Sequence, residues 1–258
     1  MEKILNICMY CGETENLTKE HIIPLGMGGD LVFPKSSCKK CARITSLDER
    51  KVLRGFMYEG RLAGNLPSRR KGKQPKTFKR ILVREDGVEF TKELLVNSGI
   101  SVIHLPIFNE PGILGGEFPI SGINIRELGT IHLNIESMHE LNSNEGVTSC
   151  KFQTEVDVSS FCKVLSKIAY GYHVYTEGVF PREESPALAI ILNSEPQYGK
   201  WIGSKNVVFP ESKALHLVNL HKLPNEDGTM AYVVALNLFF GWGMNSTYLV
   251  TTRIAKNA

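Results

Sequence analysis

An α+β fold in two unequal parts is what the 258-residue sequence predicts, on three observations. Two Cys-x-x-Cys pairs occupy the N-terminal stretch, and a Lys/Arg-rich segment follows them. Beyond it the chain turns to short strand-like runs broken by turn residues, with one long helical period among them. Strands grouped apart from helices, rather than alternating with them, predict a mainly antiparallel sheet in the larger part. The apolar fraction of 42% allows a proper core. No apolar run reaches the roughly 18 residues that a membrane span needs, so no membrane partner is expected. The opening "MEKILNICMYC" passes from three apolar residues into a cysteine pair, which does not read as a signal peptide, and a cytoplasmic location is expected.

The first element is the cysteine framework. Cys8 and Cys11 ("CMYC") and Cys38 and Cys41 ("CKKC") supply four thiolates in two tight turns, separated by 26 residues. Four sulfurs complete the tetrahedron that a structural Zn²⁺ takes, leaving no open position for chemistry. A redox reading would need a thioredoxin-like βαβ context, which is missing. The zinc should fold a segment of about 50 residues that is too small to bury much core of its own. Cys150 and Cys162 read as ordinary residues. The second pair opens "CKKCARITSLDERKVLRGF", whose apolar positions and lack of Gly or Pro before Gly55 predict a helix stopped there.

Between the pairs stands "TKEHIIPLGMGGD". With sulfur satisfying the zinc, His21 is left over. The pair Glu20-His21, then Ile22-Ile23-Pro24, Gly28-Gly29, and a Cys-x-x-Cys opening a helix resemble the HNH endonuclease family. The likeness is to its subclass with a ββα-metal core bracketed by a four-cysteine zinc knuckle, and it spans about residues 5–55. The resemblance implies that His21 is the general base on a water attacking a phosphodiester. It also implies a Mg²⁺- or Mn²⁺-type ion held by carboxylates. A neutral imidazole with an ordinary pKa of about 6.5 suits the first task. Glu20 suits the second, since hard divalent ions prefer carboxylate oxygen. Neighbouring strand residues point to opposite faces, so both can serve one phosphate only where the strand twists or ends.

Two letters of the family signature are absent from their usual places. Phe33 stands where the middle Asn is usual, and Ala42 follows the last Cys where a metal ligand is usual. On a helix, Thr45 and Glu49 share Ala42's face at offsets of three and seven, so Glu49 is the expected substitute ligand, ahead of Asp48. Gly28 and Gly29 are expected to shape a tight turn with positive φ.

From Arg50 to Arg80 the chain carries eleven Lys or Arg and one acid, Glu59. Such a block is the footprint of a polyanion binder. Arg54, Arg61, Arg69, Arg70, Lys71, Lys73 and Lys76 are expected to meet phosphates, with Lys79 and Arg80 beyond them. Residues 60–77, rich in Gly, Pro and Ser, read as a linker. Next, "FKRILVREDGVEFTKELLV" predicts a hairpin about Asp86-Gly87, and "INIRELGTIHLNIE" predicts two more strands. "DVSSFCKVLSKIAYGYHVY" places Val158, Phe161, Leu165, Ile168 and Tyr172 at helical steps behind a cap at Asp157. "SPALAIIL" begins with the Ser-Pro of a short helix. Three closing runs, "ALHLVNLHKL", "MAYVVALNLFFGW" and "STYLVTTRIA", predict strands.

The expected organisation is a zinc-stabilised nuclease unit at 1–58, a basic arm at 59–79 and an α+β domain at 80–258. The last would serve specificity, regulation by a partner, or homo-oligomerisation. The expected function is an HNH-type endonuclease hydrolysing DNA phosphodiesters, of the kind found beside defence genes and mobile elements. The alternatives are a catalytically decayed zinc-dependent DNA-binding module and an RNA-directed nuclease.

Overall fold

The computed structural model describes residues 4–68, 71–206 and 211–256, with Lys71 described by its backbone alone. β1 (Leu17–His21) pairs antiparallel with β2 (Val32–Cys38), and β2 runs directly into α1 (Lys39–Arg54). The helix begins where the sequence predicts. Cys38 caps it, its sulfur accepting from the Cys41 N–H at 3.5 Å, and Gly55 ends it. The register slips between Thr18 and Glu20, so that three residues of β2, Pro34 to Ser36, face Lys19 alone. A proline is tolerated there because the irregular stretch asks for no ladder donor. Gly28 turns the chain back at φ +89, and a Cβ at Gly29 would lie 2.1 Å from the Ile23 carbonyl oxygen.

α2 (Tyr58–Ala63) follows at once, where a linker was expected from residue 60. It is buried through Gly60, Arg61, Leu62 and Ala63 and packs on β5 (Ser101–Phe108) so closely that a Cβ at Gly60 would meet Ile103 at 2.1 Å. β3 (Thr77–Arg84) and β4 (Glu89–Leu95) form the expected hairpin. β6 (Ile125–Leu133) pairs with β5 and is one strand where two were expected. Gly129, which reads as a break, sits inside it because Met244 and Ile107 occupy the space of a side chain. α3 (Glu136–Glu145) leads to β7 (Val147–Lys151), which completes the sheet β4-β3-β7.

α4 (Val158–Glu177) is capped by Asp157, whose carboxylate accepts from the Ser160 N–H, and α5 (Pro186–Ile191) by Ser185. After α6 (Tyr198–Trp201) come β8 (Ile202–Lys205), β9 (Leu217–Pro224), β10 (Thr229–Asn237) and β11 (Thr247–Lys256). These four make an antiparallel sheet in the order β8-β11-β10-β9, the last three as the sequence predicts. The whole is a mixed chain with antiparallel sheets behind an N-terminal ββα unit.

α4 is the central post. It packs against α1, α5, β10 and β11, and Phe161, Leu165 and Ile168 along it are fully buried. One apolar core runs from Cys8, Tyr10, Ile22 and Phe33 through these residues to Val234, Leu236 and Tyr248. The N-terminal unit shares its core with the rest of the chain, in large part through this helix, which fits its small size.

Candidate metal centre and active-site cleft

The four cysteines meet between the first turn of the chain and the start of α1. Their sulfurs all lie within 4.8 Å of one another, with Cys11 and Cys38 at 3.6 Å. Zinc bonds of about 2.3 Å set tetrahedral sulfurs about 3.8 Å apart, so the set fits Zn²⁺. His21 is not among the ligands. Among the described residues this is the one group of three or more such side chains close enough to hold an ion. The larger part of the chain clamps the first knuckle by its carbonyls: Tyr170 Oη donates to Met9 O at 2.6 Å, and Arg182 donates to Cys11 O at 2.7 Å. Burial opposes ionisation of Cys38, but the Cys41 N–H and the neighbouring sulfurs prevail and bring its pKa down to about 7.

Beside this centre opens a cleft of about 1030 Å³. Glu20 and His21, the last residues of β1, line it together with Ala42, Thr45 and Glu49 of α1. The strand ends at His21, which meets the geometric condition for neighbouring side chains to face one space. Glu20 is 7% exposed, and His21 is half-buried. Phe33 pairs with Glu20 in the ladder but turns into the core against Tyr175, at 5.9 Å between ring centres. It braces the strand by packing, where an amide would brace it by hydrogen bonds. Thr45 donates its hydroxyl back to its own helix, at the Ala42 and Cys41 carbonyls. Asp48 faces α4 instead of the cleft floor, accepting from Ser160 Oγ at 2.9 Å with Lys163 at 3.8 Å.

Glu20 and Glu49 do converge, and a residue that the sequence did not single out joins them. Lys167 of α4 places its ammonium 2.7 Å from Glu20 Oε1 and 2.5 Å from both Glu49 Oε1 and the His21 carbonyl oxygen. Its side chain is 2% exposed. Burial by itself would lower its pKa, but the two carboxylates outweigh burial and raise it, so the ammonium stays charged. Two carboxylates and a carbonyl are the hard oxygen donors that a Mg²⁺-type ion takes, and in that respect the set fits. The point they share, however, is held by this ammonium.

The basic residues divide. Lys19, Arg50, Arg54 and Lys73 are exposed and stand on the cleft wall. Lys76 and Lys79 are exposed too, while Arg69, Arg70 and the Lys71 side chain lie outside the described residues. Arg61, expected to meet phosphate, turns inward. It is 7% exposed and donates to the Leu53, Gly26 and Pro67 carbonyls at 3.0, 3.3 and 3.3 Å. Arg80 is also buried, paired with Glu59 at 2.8 Å and lying over Phe152.

A short histidine brace closes the far side of the cleft loop. His216 Nδ1 accepts from the Phe239 N–H at 3.0 Å, so Nε2 carries the proton and donates to Met27 O at 2.8 Å. Burial lowers its pKa, keeping that neutral tautomer. No helix among the described residues is long and apolar enough to cross a membrane.

Residues 8–50 match the family described as HNH endonuclease. Neither the curated proteins nor the solved structures contain a match to the chain.

Proposed function

We propose, with an HNH endonuclease module at residues 8–50 as the premise, that the protein is a nuclease hydrolysing phosphodiester bonds in DNA. The observation that carries this reading is convergence. His21, Glu20 and Glu49 come from β1 and α1 of the module and line one cleft whose wall presents Lys19, Arg50, Arg54 and Lys73. Those cations would hold the phosphate backbone without selecting sequence. His21 would take a proton from a water as its oxygen bonds to phosphorus, and the bond from phosphorus to the 3′-oxygen would break. Glu20 and Glu49 would hold a Mg²⁺- or Mn²⁺-type ion, which supplies charge stabilisation to the developing phosphorane and the departing oxygen when bound. Zn²⁺ on Cys8, Cys11, Cys38 and Cys41 would keep β1 and α1 in register and take no part in the chemistry.

The test is incubation of the zinc-loaded protein with plasmid and with folded RNA, with and without Mg²⁺ or Mn²⁺. Plasmid should be cut, and His21→Ala should abolish cutting with zinc content unchanged. A second reading has its own support: Phe33 and Ala42 stand where the family usually has its amide and last ligand. If the wild type binds DNA and cuts neither nucleic acid under any metal, the chain is a zinc-dependent binding module. Cutting of RNA alone would reassign the substrate.

A further inference from the structure

The lysine under the cleft belongs neither to the matched segment nor to any motif in the sequence. It comes from α4, and it occupies the one point that both cleft carboxylates address. An ammonium has three donors and no acceptor. Here all three have oxygen partners: Glu20, Glu49 and the His21 carbonyl. The cage is therefore complete without an added ion.

That completeness has a cost for any divalent ion. A Mg²⁺ ion bonds carboxylate oxygen at about 2.0–2.1 Å, close to the point where the ammonium nitrogen lies. Two cations cannot share that point, since at such a separation their repulsion exceeds what either gains from the shared oxygens. The lysine also explains how Glu20 can be nearly buried beside Glu49. Two like charges facing one buried point need a counter-charge, and the chain supplies it from α4.

We propose that Lys167 is the resident counter-cation of the Glu20–Glu49 pair, and that a divalent ion binds there only by displacing it. This rests on the nuclease reading for the purpose of the ion, but it concerns binding alone. The displaced side chain has a place to go. Lys167 also lines the open cleft of about 1030 Å³, into which its ammonium can turn, whereas Asp48 behind the cage is already held by Ser160 and Lys163. In chemical terms α4 completes the module's site and sets its threshold for metal.

The experiment is a Mn²⁺ titration of zinc-loaded protein, read as the loss of the free-ion signal in electron paramagnetic resonance, with no nucleic acid present. Lys167→Met should bind Mn²⁺ at least tenfold more tightly than the wild type, because its two acids have lost their internal partner. Adding Glu49→Gln to that variant should remove the gain. Lys163→Met, one turn away on Asp48, should match the wild type. Lys167→Gln repeats the test with a polar side chain should the methionine variant misfold. A second measurement needs no substitution: Mg²⁺ added to the wild type should shift or broaden the ¹⁵Nζ resonance of Lys167. Binding no tighter in a folded Lys167 variant, or Mg²⁺ uptake at Glu20 and Glu49 that leaves the Lys167 resonance untouched, would overturn the proposal. Tighter Mn²⁺ binding in a protein that cuts no nucleic acid would uphold this inference and defeat the nuclease reading alone.

Discussion

Arg61 and Lys73 look alike in the sequence, two bases in one basic stretch, and the structure gives them opposite work. Arg61 holds three carbonyls from α1, the loop after His21 and the chain beyond α2. Removing it leaves buried acceptors unpaired, at about 1–3 kcal/mol for a group of this kind. Lys73 is exposed on the cleft wall. Arg61→Ala should therefore lower the melting temperature by several degrees, as seen in a thermal scan. Lys73→Ala should leave stability unchanged and reduce the salt dependence of DNA binding by about one counterion. The same scale shows what the sequence could convey. Glu20 and His21 are adjacent within a motif, and Glu49 follows from helical arithmetic on Ala42, so all three were legible. Lys167 was not, because it lies 118 residues from Glu49 in a helix whose apolar steps conceal a charge. The available signal was a lysine between Leu165 and Ile168 in a helix apolar almost all round.

At the scale of elements, α1 depends on its first residues. Cys38 caps it and also belongs to the sulfur cluster, so the metal would fix both the helix start and the end of β2. Cys38→Ser should reduce bound zinc below one per chain and loosen β1 with α1. The readout is zinc stoichiometry by mass spectrometry, together with faster amide exchange in residues 39–54. The hairpins, α1, α4 and α5 were legible because caps, turns and periods all agree there. β5 was not, since it is buried at nearly every position and shows no alternation. α2 was hidden because Gly60, Gly64, Pro67 and Ser68, with the bases around them, read as a linker. Here Gly60 permits contact with Ile103, and the Arg61 guanidinium donates to three carbonyls.

The whole molecule carries a pH dependence from its buried histidines. His173 is fully buried between Phe180 and Tyr232, with Nδ1 on Thr252 Oγ1 at 2.7 Å. Burial, then the nearby Arg253, lowers its pKa to about 4. His216 and His104 are lowered in the same direction, burial first in each. A histidine with a depressed folded-state pKa takes a proton in the unfolded chain first, from about pH 6.5 downward. Stability should thus be full above that pH and fall as pH drops toward about 4. Urea midpoints measured from pH 7.5 to 4.5 should decline, and His173→Phe should flatten part of that decline.

α1 and α4 lie antiparallel along a seam of polar contacts, from Lys51 with Asp157, through Asp48 with Ser160, to Glu49 with Lys167. The backbone joining the two halves, by contrast, leaves Lys73 and Lys76 open to solvent. Continuity of the peptide there contributes little to keeping the cleft residues assembled. A polypeptide nicked after Lys76 would stay together as a two-piece complex with its lysine still seated between the acids, whereas the first piece alone would present Tyr10, Ile22 and Phe33 to water.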